Sequence, residues 1–140
     1  MQEISIGVLS KRADVKVPTV RYYEQVGLMP APSRTEGNRR NYDEAAVQRL
    51  RFIRHARELG FEVNAIRQLL HLSDQPDRPC AEADVLARTH LAEIDGKIGR
   101  LTALRSEVRR MIEECAHGRV CECRVIKVLD DHGQCENNRH

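Results

Sequence analysis

Apolar residues in the first part of the chain recur at helical spacing and predict two short helices joined by a tight turn. The first helix has its apolar positions on one face, at Ile6, Leu9 and Ala13. Ser5 can cap its start, and a second helix over residues 18–25 opens on a proline and ends at Gly27. Such a pair is typical of a helix-turn-helix, although any small helical protein contains helix pairs.

The segment after the second helix predicts a small basic hairpin, or wing. Prolines extend residues 28–32, and a turn at Gly37 and Asn38 follows with arginines on both sides. The arginines of this wing are Arg34, Arg39 and Arg40. Together with Arg21 and Tyr22 of the second helix they would form a cationic surface suited to phosphates and a DNA groove. A solvated arginine face is the alternative.

Two further amphipathic helices are expected to serve mainly as scaffold. Asp43 can cap the first of them, which runs to Leu59 before Gly60, and the next begins near Phe61. Arg57 is a candidate for contact with the DNA backbone, although its spacing fits a solvent-facing residue equally well.

Residues 82–115 contain no proline and predict one long helix. Its apolar seam advances in alternating steps of three and four residues, which is heptad spacing, with Arg105 at the remaining position. The seam consists of Leu91, Ile94, Ile98, Leu101, Val108, Ile112 and Cys115. Because this helix outruns the small N-terminal domain, we expect a coiled-coil partner rather than packing within the chain.

The cysteines indicate metal chemistry. All five lie at or beyond Cys80, and an odd number favours reduced thiols over a disulfide framework. A rise of 1.5 Å per residue places Cys80 and Cys115 roughly 50 Å apart in one chain. In an antiparallel two-fold dimer, by contrast, Cys80 of one chain would lie beside Cys115 of the other. With Cys121 and Cys123 in the following loop, such thiolates suit soft cations such as Zn, Cd, Pb, Hg or Cu(I). Ordinary core packing is the alternative for any single thiol.

Charge and composition restrict the function further. The net charge of +2 divides unevenly, since residues 1–70 carry twelve Lys and Arg against eight Asp and Glu, and residues 71–140 carry eleven against thirteen. No apolar run approaches the roughly 18 to 20 residues of a membrane-spanning helix. The first residues lack the features of a signal peptide, so we expect the cytoplasm. A zinc hydrolase or thiol oxidoreductase is disfavoured, because the sequence has neither HExxH nor Cys-x-x-Cys.

These motifs together resemble the MerR family of transcription regulators. The resemblance covers the whole chain and rests on Val-Arg-Tyr-Tyr-Glu at 20–24, the wing residues up to Tyr42, and the segment 54–61. It implies a winged helix-turn-helix that contacts DNA through Thr19, Arg21, Tyr22, Arg34, Arg39, Arg40 and Arg57. Relatives usually carry an aromatic residue at the position of Arg39, so that position departs from the family pattern.

The resemblance also narrows the metal site. Metal sensors of the family place ligands at the start of the dimerisation helix and on both sides of the following loop, and Cys80, Cys115 and Cys123 match those places. A thiol at the first place is typical of relatives that sense Zn, Cd, Pb or Hg, which favours a soft divalent ion. The spacing of the other two is like that of copper sensors, so a Cu(I)/Ag/Au sensor using Cys115 and Cys123 stays open. His117 and Cys121 are possible additional ligands.

The predicted fold is therefore mainly α. A winged helix-turn-helix domain (1–72) and a linker (73–81) precede an antiparallel coiled-coil dimerisation helix (82–115). A metal-binding loop, a short helix and a flexible tail (116–140) complete the chain. We place Cys135 in that tail, outside the ligand set.

The predicted function is a homodimeric, metal-responsive transcription regulator without a catalytic centre. Each winged domain would bind one half-site of a palindromic operator in double-stranded promoter DNA. The resemblance implies repression without metal and, with metal, a distortion of the promoter that lets RNA polymerase engage both of its elements. A thiol redox-responsive regulator and a structural, zinc-stapled DNA-binding protein are the alternatives.

Overall fold

The computed structural model describes residues 4–115, 118–120 and 123–130. Within these ranges the chain is mainly helical, and one two-stranded sheet interrupts the helices. The elements are α1 (Ile6–Ala13), α2 (Val17–Gln25), β1 (Ser33–Arg34), β2 (Arg40–Asn41), α3 (Glu44–Glu58), α4 (Val63–Ser73), α5 (Ala81–Glu113) and α6 (Arg124–Asp130). The chain forms two compact units, Met1–Leu86 and Ala87–His140, which are described separately.

The predicted helix-turn-helix is present as α1 and α2. The Ser5 hydroxyl accepts a hydrogen bond from the Val8 amide at 3.2 Å, which caps α1 as its sequence predicts. Asp14 ends α1 in the left-handed region with φ of 56°. After the C-terminal end of α2, Gly27 adopts φ of 81°, a conformation that glycine reaches without steric cost.

The core of the first unit lies where α1 and α4 pack on α3. Its fully buried large side chains come from every helix of the unit up to α4 and from the segment before the wing. They are Leu9, Val20, Leu28, Met29, Val47, Leu50, Ile53 and Ile66. Helix α3 supplies the centre of this core, and Asp43 caps its start by accepting a hydrogen bond from the Ala46 amide at 2.9 Å. The core therefore supports α2 and the wing.

The wing is an antiparallel hairpin. Ser33 pairs with Asn41 and Arg34 with Arg40, and a separate bridge joins Ile4 to Tyr42. The turn uses Asn38 in the left-handed region, with φ of 62°, a conformation that asparagine tolerates better than most residues.

Helix α5 agrees with the predicted long helix to within two residues at each end. The predicted seam residues are exposed along the part of α5 that belongs to the second unit. The exception is Cys115, which follows the helix and is half-buried. In α6, by contrast, Val128 is buried. No helix in the described part of the chain is long and apolar enough to cross a membrane.

Candidate nucleic-acid interface and metal centre

Helix α2 turns one side to the core and leaves the other open. Val20 and Tyr23 are buried, whereas Arg21 is exposed and the Tyr22 side chain is 47% exposed. Thr19 is half-buried at the edge of this surface. A helix that packs by one face and exposes the next two positions suits insertion into a DNA groove.

The three predicted wing arginines differ in their surroundings. Arg34 and Arg39 are exposed, and Arg34 also donates to the Asn38 carbonyl at 3.4 Å. Arg40 is half-buried and its Nη1 donates to Oε1 of Glu24 at 2.5 Å. Arg40 therefore pairs with the second helix, a contact that its position in the hairpin alone does not predict.

Glu24 uses its second carboxylate oxygen as well. Oε2 accepts a hydrogen bond from the Tyr42 hydroxyl at 2.7 Å. Burial, followed by this bond to Glu24, raises the pKa of Tyr42 to about 12. The phenol therefore stays protonated as a donor throughout the neutral range, and Glu24 joins the end of α2 to the end of the wing.

Two further arginines hold the C-cap of α2 and the segment that follows it. Arg49 on α3 donates from Nε to the Leu28 carbonyl at 2.7 Å, and Arg67 on α4 donates from Nη2 to the Val26 carbonyl. The last carbonyls of a helix lack partners within it and attract cations. Helical spacing places both arginines on polar faces, and only the tertiary structure brings these carbonyls to them.

The turn between α1 and α2 is fixed in a similar way. Arg54 donates to the Asp14 carboxylate at 3.1 Å and to the Ala13 carbonyl at 3.3 Å. Arg57 on α3, the predicted contact to the DNA backbone, is exposed. It donates to the Phe61 carbonyl at 3.0 Å, which closes the end of α3. Its guanidinium thus lies at the turn between α3 and α4.

Two of the predicted metal ligands come together within the second unit. Cys115 follows α5, Cys123 precedes α6, and the two thiols lie close enough for Cys115 to influence the pKa of Cys123. The backbone amide of Ile126, then that of Val125 and then Cys115, lower the pKa of the Cys123 thiol, since all three favour the thiolate. The first turn of α6 therefore prepares Cys123 as a soft anionic ligand.

A side-chain contact across the loop holds these two thiols in place. Arg124, the first residue of α6, donates from Nε to Oε2 of Glu114 at 2.8 Å. Each member of this pair is adjacent in sequence to one of the two cysteines. The pair therefore fixes the two ends of the loop next to the thiols themselves.

One further predicted ligand lies among the described residues. Cys80 lies in the first unit, exposed at the start of α5. His117, Cys121 and Cys135 lie outside the described residues. Among the residues that the structure describes, no group of three or more His, Cys, Asp or Glu side chains could hold a metal ion. The described part of one chain thus offers two thiols at one place and a third in the other unit.

Comparison with known proteins identifies the family. Residues 4–72 match the family described as "MerR HTH family regulatory protein", and residues 47–111 match "MerR, DNA binding". The HTH-type transcriptional regulator ZntR of Escherichia coli strain K12 is 38% identical over 129 residues, which cover 89% of this chain and 91% of ZntR. This chain belongs to the MerR family. It is a DNA-binding transcription regulator and not an enzyme.

Solved structures of MerR-family proteins share the fold. PbrR691 from Ralstonia metallidurans CH34, in complex with lead(II), superposes with a TM-score of 0.80 at 42% identity, covering 90% of this chain and 98% of PbrR691. MerR from Bacillus megaterium MB1, in complex with mercury(II), gives a TM-score of 0.69 at 29% identity and covers 91% and 99% of the two chains. The predicted fold class, a MerR-type helix-turn-helix domain followed by a long helix, is confirmed.

Proposed function

We propose that this MerR-family regulator is a metal sensor that activates transcription when a soft divalent ion, Zn, Cd, Pb or Hg, binds its cysteine thiolates. The contact between Glu114 and Arg124 carries the proposal, because it brings together the two ends of the loop where the neighbouring thiols Cys115 and Cys123 lie. The lead(II) complex of PbrR691 and the mercury(II) complex of the Bacillus protein support it, since both are structures of similar chains with soft ions.

The dimer is proposed from the exposed seam of α5. Six apolar side chains along one helical seam face solvent in the single chain, and contiguous exposed apolar surface marks an interaction site. They are Leu91, Ile94, Ile98, Leu101, Val108 and Ile112. Heptad spacing favours a second copy of the same helix as the occupant. In an antiparallel arrangement the exposed Cys80 of one chain would complete the Cys115 and Cys123 pair of the other.

The donor set fits a soft cation. Thiolate sulfur binds Zn, Cd, Pb and Hg well, whereas Ca and Mg require oxygen ligands. A bound ion would supply a positive charge that joins the thiolates of two chains. His117 and Cys121 are proposed as additional donors of the same loop.

A Cu(I) sensor is the second candidate. The pair formed by Cys115 and Cys123 lies within one unit of one chain, and two thiols are the ligand number of a linear Cu(I) site. Cys80 distinguishes the two candidates, because only the divalent site uses it.

DNA binding follows from the exposed surface of the first unit. Thr19, Arg21 and Tyr22 would contact bases and backbone in the major groove, while Arg34 and Arg39 of the wing would contact phosphates. Arg57 is proposed as a further phosphate contact from the end of α3. A two-fold dimer would then occupy a palindromic operator.

The regulatory step requires two states of the DNA-bound dimer. Without metal the dimer would hold the promoter in a repressed form. With metal it would distort the DNA so that RNA polymerase engages both promoter elements. The regulator would act in the cytoplasm. An ion can shift this balance only if it binds the activating state more tightly.

Transcription in vitro from the promoter region that this protein controls tests the proposal. Buffered Zn, Cd, Pb, Hg and Cu(I) are titrated against the wild type, Cys80→Ser and Cys115→Ser, with Cys135→Ser as the control thiol. We expect activation by a divalent ion that disappears in the first two variants and persists in the control. Activation by Cu(I) alone, retained in Cys80→Ser, would establish the second candidate. No response to any ion would refute metal sensing.

A further inference from the structure

We infer that Glu24 is a positioning residue that fixes the wing against the recognition helix α2, and that Arg40 is its tether rather than a phosphate ligand. The inference rests on the proposed operator binding and goes beyond it, since it assigns a role to a carboxylate that contacts no DNA. It also departs from the DNA contact that family resemblance implies for Arg40.

Both oxygens of the Glu24 carboxylate are occupied by the wing. Oε1 accepts from Arg40 at 2.5 Å and Oε2 accepts from Tyr42 at 2.7 Å, while the Glu24 side chain is only 9% exposed. Hydrogen bonds to an ionised carboxylate are about twice as strong as neutral ones. The bonds also join residues 16 and 18 positions apart in sequence, so they act between elements rather than within one.

The location of this network couples it to the DNA-contacting residues on both sides. Glu24 lies three residues after Arg21, on the same side of α2. Arg40 pairs directly with Arg34 across the hairpin and follows Arg39 in sequence. Holding Arg40 against Glu24 therefore sets the spacing between the exposed wing arginines and the recognition helix.

The charges explain why Arg40 adds no net attraction for a phosphate. An unpaired carboxylate between two DNA-contacting elements would repel the phosphate backbone. Arg40 neutralises Glu24 within the protein, so the pair has no net charge to release counterions from DNA. Arg34 and Arg39 remain the wing residues that attract phosphate.

The test measures operator affinity against salt concentration for the full chain. The probe is a DNA duplex that the wild-type protein selects from a library of random sequences. Removing one arginine that binds a phosphate flattens the slope of log affinity against log salt by about 0.9. We expect the double variant Glu24→Gln with Arg40→Gln, which removes the pair and leaves no unpaired carboxylate, to weaken binding about tenfold, the size of one charge-assisted hydrogen bond, with an unchanged slope. The matched control Arg39→Gln, in the adjacent and exposed position, flattens the slope by about 0.9 per protomer.

A double-mutant cycle gives the second readout. If Arg40 acts through Glu24, the variant that combines Glu24→Gln and Arg40→Gln binds no more weakly than Arg40→Gln alone. Additive losses, or a slope for the double variant as flat as that of the control, would overturn the inference and assign Arg40 to a phosphate.

Hydrogen exchange of the free protein tests the tether without DNA. The Thr35 amide donates to the Arg39 carbonyl at 2.9 Å inside the wing, and it should exchange faster in Arg40→Gln and in the milder Tyr42→Phe. Wild-type exchange rates in both variants would refute the tether. If the wild type selects no duplex, operator binding itself has failed, and the exchange rates still decide whether Glu24 and Arg40 hold the wing.

Discussion

Replacing Leu101 by alanine tests whether the exposed seam of α5 is a dimer interface. Leu101 is 65% exposed in the single chain, and burying a whole leucine side chain is worth about 1.5 to 3 kcal/mol. Covering the exposed two-thirds is therefore worth roughly 1 to 2 kcal/mol per chain. Two-fold symmetry counts this twice, so Leu101→Ala should weaken the dimer by roughly 2 to 4 kcal/mol, or about 30- to 1000-fold in Kd.

Sedimentation equilibrium over a range of protein concentrations measures this change. Leu59→Ala is the matched control, because Leu59 is 67% exposed but follows α3 in the first unit. We expect the control to keep the Kd of the wild type. An unchanged Kd for Leu101→Ala, or equal weakening in both variants, would show that the seam is not the interface and would remove the geometric reason for pairing Cys80 with Cys115.

The core, the wing and the surface of the first unit give three further predictions. Ile53 is fully buried, so Ile53→Ala should lower the free energy of unfolding in urea by about 2 to 5 kcal/mol, and a loss below about 1 kcal/mol would contradict its central place in the core. Ultraviolet titration should show a tyrosine that ionises near pH 12, and this step should disappear in Tyr42→Phe; a titration curve that Tyr42→Phe leaves unchanged near pH 12 would contradict the buried phenol. The hydrogen bond from Arg12 lowers the pKa of Glu44 below its ordinary 4.5. The wild type should therefore have a higher Tm than Glu44→Gln above pH 4.5, and this difference should vanish as the pH falls through the folded-state pKa of Glu44. A difference in Tm that persists at the lowest pH would contradict this origin.

The sequence was sufficient to predict those features that depend on local pattern. The cap at Ser5, the cap at Asp43 and the uninterrupted long helix each follow from a few neighbouring residues, and the structure confirms all three. The hairpin was also predicted, because prolines and a Gly-Asn turn restrict the backbone within ten residues. The structure adds that Asn38 is the turn residue with positive φ.

Long-range pairing is the part that local pattern does not contain. Arg40 looks like any other wing arginine in the sequence, and its pairing with Glu24 depends on how the wing folds back over α2. Arg49 and Arg67 look like solvated helix residues until tertiary packing brings Arg67 to the carbonyl of the α2 C-cap, Val26, and Arg49 to the carbonyl of Leu28 beyond it. Cys115 and Cys123 lie at the two ends of one short loop, which local pattern does contain, whereas the proposed role of Cys80 requires a second chain.

In α2, the residues that hold the helix in the domain differ from those that face outward, and this separation affects how a regulator can change its operator in evolution. Val20 and Tyr23 hold the helix in the core, and Arg67 holds the carbonyl of its C-cap Val26, while Arg21 is exposed and Tyr22 contacts only the ring of Tyr23. Substitutions at Arg21 therefore carry little risk of unfolding the domain, and substitutions at Tyr22 lose one ring contact. If Arg21 and Tyr22 contact the operator as proposed, a duplicated gene could acquire a new promoter by changing these few codons while its effector response is inherited intact.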